Sequence, residues 1–67
     1  RDSEKTVSEF IAELEDNLRR ADRDELAKEI DHVILRLLKE LLNQGIIKLN
    51  DSLLDAIRKI DRLFQGN

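Results

Sequence analysis

The chain has no cysteine, proline, methionine, tryptophan or tyrosine, and only two glycines and two phenylalanines. Each absence excludes something. Without cysteine no disulfide staples the fold, and His32 alone cannot assemble a zinc site that needs about four ligands. Without proline, and with glycine only at Gly45 and Gly66, helix ends must be read from caps and from shifts of apolar phase. The longest apolar runs are three residues, as at Val33-Ile34-Leu35, against the ~20 needed to span a bilayer. No stretch has the basic start and apolar centre of a secretory signal. A basic excess is missing too: 12 Lys and Arg face 15 Asp and Glu, for a net charge of −3. Nucleic-acid binders carry the opposite balance.

Sixty-seven residues make one domain. A chain so short buries only about 60% of its unfolded surface, so its stability has to come from helix packing. Charged residues are 40% of the chain and mixed in sign, as expected of a soluble surface. The chain opens on Arg1 rather than Met, as expected of a processed or excised piece. Nothing assigns a compartment.

The apolar periodicity predicts three helices, over about residues 4–20, 23–43 and 51–65. In the first, Val7, Phe10, Ile11, Leu14, Leu18 and Ala21 recur at spacings of three and four. Thr6 with Glu9 three residues on fits a capping box, and Ser3 is an alternative start. Asp22 with Glu25 suggests a second box, opening a helix that runs on Leu26, Ile30, Val33, Ile34, Leu37, Leu38, Leu41 and Leu42. Gly45 ends it, with Ile46 placed to fold back on Leu41 in a Schellman motif. Asn50 is the expected third N-cap, flanked by a Leu49–Leu54 staple, before an inward stripe of Leu53, Leu54, Ile57, Ile60 and Phe64. Glu15–Arg19, Asp16–Arg20 and Asp55–Lys59 are favourably ordered i,i+4 pairs. Short connections imply an all-α, antiparallel up-down-up three-helix bundle.

The helices differ in how much apolar surface they present. At about 100° per residue, the stripe of helix 1 covers roughly 100° and that of helix 2 roughly 200°. The wider arc fits a central helix touching both neighbours, with Ile30 and Leu37 facing them. Leu35 and Leu42 fall at one edge of it. Leu35, Leu38 and Leu42, extended by Ile46 and Ile47 in the following loop, therefore form the candidate surface for a protein partner or a homodimer through helix 2.

Other chemistries find little support. The carboxylates are spread among Lys and Arg on solvent-facing positions, whereas acid–base work needs a desolvated carboxyl in a concave site. Asp31 alone falls inside the apolar arc of helix 2 and Asp61 at the edge of that of helix 3, and both are expected on solvated helix faces or in interhelical pairs rather than in catalysis. His32 points away from the stripe. Asp51-Ser52-Leu53 resembles the phosphopantetheine motif of acyl carrier proteins, but the preceding glycine is absent and Ser52 opens the last helix. Leu38-Lys39-Glu40-Leu41-Leu42 is similar to the LxxLL motif of nuclear-receptor coactivators, a pattern any amphipathic helix generates. Leu53, Ile57, Ile60 and Phe64 match BH3 spacing, yet Asp61 and Arg62 stand where that motif needs a small residue and an aspartate. The asparagine–arginine reading face of a homeodomain has no counterpart in Asp51–Phe64.

Across its length the chain resembles a computationally designed or redesigned three-helix bundle, in its paired caps, staggered charges and Leu/Ile stripes. The resemblance implies a non-enzymatic scaffold or protein-binding module, without cofactor, metal, nucleic acid, membrane or small-molecule substrate. The alternative is a natural docking or chaperone-like interaction domain.

Overall fold

Residues 5–66 are described by a computed structural model. Ser3, the alternative helix start, lies outside them. Among the described residues the fold is all-α: α1 spans Val7–Arg19, α2 Glu25–Asn43 and α3 Leu53–Phe64.

Local chemistry sets most of the helix ends. Thr6 caps α1: its hydroxyl accepts from the Glu9 amide at 3.2 Å, and the Glu9 carboxylate accepts from the Thr6 amide at 3.0 Å. This is the capping box expected from the sequence. Gly45 ends α2 with φ +78°, the Ile46 amide donating to the Leu41 carbonyl and the Gly45 amide to the Leu42 carbonyl, both at 3.0 Å. Those two bonds define the Schellman motif.

Two caps fall elsewhere. Asp24, not Asp22, caps α2, its carboxylate accepting from the Leu26 and Ala27 amides at 3.1 and 3.2 Å. Asp22 is held instead by Arg20. Ser52, not Asn50, caps α3, its hydroxyl accepting from the Asp55 amide at 3.1 Å. Leu49 and Leu54, the expected staple, are each about half exposed. In both cases two short polar residues two positions apart had equal claim by propensity.

The three helices form a three-helix bundle, but α2 is not at its centre. Helix α1 is the central one. It packs extensively on α2 and more lightly on α3, while α2 and α3 have no close backbone approach. The five-residue link Arg20–Asp24 returns α2 along α1, and Lys39 reaches Glu15 across that interface at 3.7 Å. The core is Val7 and Leu14 from α1, Leu35, Leu38 and Leu41 from α2, Ile47 from the loop and Ala56 from α3.

Helix α3 is held chiefly at its beginning. The Val7 and Ser8 amides, orphans at the start of α1, donate to the Asp51 and Leu49 carbonyls at 3.0 and 3.1 Å. In return the Leu53 amide, at the start of α3, donates to the Lys5 carbonyl at 2.7 Å. The two helix starts thus satisfy each other. Beyond Ile60, α3 runs out without a neighbour, leaving Leu63 half exposed and Phe64 80% exposed. The radius of gyration, 12.8 Å, exceeds the about 11 Å of a compact chain of this length.

Candidate functional site

The surface expected at the Leu35–Leu42 edge is core. Leu35, Leu38 and Ile47 are buried, at 6%, 5% and 1% exposure, and Leu42 and Ile46 are partly buried against them. None of the five offers a free apolar face. Ile30 and Leu37, expected inside, are exposed instead.

The opposite edge of the same arc is the uncovered one. Leu26, Ile30, Val33 and Leu37 are between 45% and 68% exposed. Their spacings of four, three and four residues bring them within roughly 60° of one another on the wheel of α2. The core positions Leu41, Ile34, Leu38, Asp31, Leu42 and Leu35 fill the next roughly 120°. So the 200° arc is real, and α1 covers the half of it centred on Leu38. Helix α3 contributes further uncovered apolar surface at Leu54, Ile57, Leu63 and Phe64.

Asp31 carried the signal that distinguishes the two edges. It lies on the Leu35–Leu42 side, is buried at 6% exposure, and accepts from Arg23 Nε and Nη2 at 3.2 and 2.7 Å. Arg23 belongs to the link that leaves α1. An acid in the apolar arc, with a guanidinium supplied from that link, marks the side of α2 that meets α1, because a buried carboxylate needs its partner close.

Among the described residues the titratable side chains that interact do so as ion pairs and hydrogen bonds along and between the helices. His32 is exposed on α2. Asp51 Oδ2 accepts from Lys59 Nζ and from the Lys48 amide, both at 2.9 Å. The Lys59 hydrogen bond first, then the Lys48 amide, hold its carboxyl below the ordinary value of 3.8. Hydrogen bonding and charge from Arg20 lower Asp22 likewise. Lys59 thus turns to Asp51 rather than to Asp55, which meets Arg58 at 4.0 Å. Glu13, Asp16, Asn17, Arg19 and Arg20 rim a depression on the outer face of α1 that is open to solvent. Among the described residues no three His, Asp or Glu side chains stand together as metal ligands, and no helix is long and apolar enough to cross a membrane.

The chain matches no protein-family model, no curated protein and no solved structure.

Proposed function

We propose that this chain is a non-enzymatic, protein-binding helical module that works by burying the uncovered apolar edge of α2 against another protein surface. One observation carries the reading: Leu26, Ile30, Val33 and Leu37 form a helical stripe that the described residues leave 45% to 68% exposed. Isolated exposed leucines are ordinary, whereas a contiguous apolar stripe rimmed by charge marks a contact site. Its 4-3-4 spacing is the anchor pattern by which helices dock on helices.

The open face also bears on the choice between an engineered scaffold and a natural interaction domain. Idealised scaffolds are built to fill their cores. Here α3 is splayed and apolar side chains on two helices face water, which favours a domain that completes its core with a partner.

The double variant Ile30→Glu/Leu37→Glu tests the reading. It should keep the helical circular dichroism of the wild type at low concentration and lose association, with itself or with a second protein, on sedimentation. Unfolding of the variant, or association equal to wild type, would refute it.

A further inference from the structure

We infer that the surface covering the α2 edge is a second copy of this chain, docked antiparallel about a twofold axis between Ile30 and Val33. The inference deepens the proposed function and rests on it.

The first argument is self-complementarity. Leu26, Ile30, Val33 and Leu37 occupy d, a, d and a positions of a heptad on α2. In an antiparallel pair each a position faces a d position of the other helix. With the axis midway along the stripe, Leu26 faces Leu37 of the second copy and Ile30 faces Val33, and symmetry repeats both contacts. All four exposed residues are used and none is left over. The stripe is bounded at one end by the start of α2 at Glu25 and at the other by Glu40, which stands where the next heptad position falls. The apolar seam is therefore the length of its own partner.

The second argument is charge. Glu29 and Arg36 are the g positions flanking this stripe, both exposed, and neither makes an ion pair among the described residues. Antiparallel pairing brings g beside g, so Glu29 meets Arg36 of the second copy, twice by symmetry. The opposite flank holds the partly buried Ala27, Ile34, which packs against the chain's own core, and Leu41 within it. A parallel pair would set Glu29 and Arg36 against those apolar side chains and leave the charges unmatched. Electrostatic complementarity thus selects one orientation.

The third argument is area. The α2 stripe alone exposes roughly 400 Å², too little against the roughly 800 Å² per partner of a standard interface. Leu49, Leu54, Ile57, Leu63 and Phe64, each more than half exposed, raise the apolar total to roughly 900 Å². A pair of standard size therefore has to bury α3 side chains as well as the α2 stripe.

Sedimentation equilibrium on the full chain decides it, with charge reversals on the rim. The wild type should be a dimer at micromolar concentration. Glu29→Arg or Arg36→Glu alone should weaken it about tenfold or more, since each sets like charges face to face twice. The swap Glu29→Arg/Arg36→Glu should restore it. Both residues are exposed, so the variants keep the monomer fold, which circular dichroism checks. A wild type that stays monomeric at hundreds of micromolar overturns the second copy while leaving a different protein as occupant of the stripe. A dimer indifferent to the single reversals overturns the antiparallel seam. If that dimer also survives Ile30→Glu/Leu37→Glu, the proposed function falls with it.

Discussion

Arg23 donates both Nε and Nη2 to the same oxygen of Asp31, at 3.2 and 2.7 Å, spanning from the α1–α2 link to the second turn of α2. Asp31 is the one buried charged side chain among the described residues. Arg23 is about one-third exposed, so water tempers the pair. Arg23→Ala should cost about 1–3 kcal/mol, mainly because it strands the carboxylate. The double change Arg23→Met/Asp31→Leu should cost less than Arg23→Ala alone, as replacing both members of a buried pair by apolar groups often does. Urea denaturation of the single and double variants measures the difference, and equal costs would show that the pair does not act as a unit.

Core and edge should respond oppositely to truncation. Leu35→Ala and Leu38→Ala should each cost about 2–5 kcal/mol, while Ile30→Ala and Leu37→Ala should cost less than about 1 kcal/mol in the monomer. Denaturation at a concentration too low for association separates them. The double variant Leu35→Lys/Leu42→Lys should fail to fold, since it places one charge in the core and another at its border.

The caps give a sharper test of local structure. Asp24→Ala and Ser52→Ala should each destabilise by about 0.5–2 kcal/mol, having lost the acceptor for orphan amides. Asp22→Ala and Asn50→Ala, two residues upstream of those caps, should fall within about 0.5 kcal/mol of wild type. A reversed order in thermal melts would move the helix starts.

Acid should weaken the anchorage of α3. The Lys59 hydrogen bond and the Lys48 amide hold the Asp51 carboxyl below its ordinary 3.8. A folded-state pKa below the unfolded one means that the unfolded chain binds the proton more readily. The stabilisation is therefore complete above the unfolded value, about 4, and fades as pH falls through the depressed folded value. Asp51→Asn should flatten the fall of melting temperature below about pH 4 relative to wild type. A parallel fall in the two proteins would remove Asp51 from the acid response.

The sequence by itself determined those local features for which one residue alone could play the part. The helical period, the Thr6–Glu9 capping box, the Gly45 Schellman turn and the width of the α2 arc were all legible. Each follows from hydrogen bonds or side-chain angles internal to one segment. Tertiary structure decided what local chemistry left degenerate. Between Asp22 and Asp24, and between Asn50 and Ser52, propensity had no preference. The mutual bonding of the α1 and α3 starts accompanies Ser52 as the cap of α3, while Asp22 is taken up locally by Arg20 and Asp24 caps α2. Helical periodicity fixes the angles between Leu26, Ile30, Leu38 and Leu42, but not the rotation of the whole helix against its neighbours. Covering Leu35 and exposing Ile30 was therefore a choice between two edges of one arc. The packing of α1 on the Leu38 side, with Asp31 meeting Arg23 there, made it, because a carboxylate can enter the core only where its partner follows.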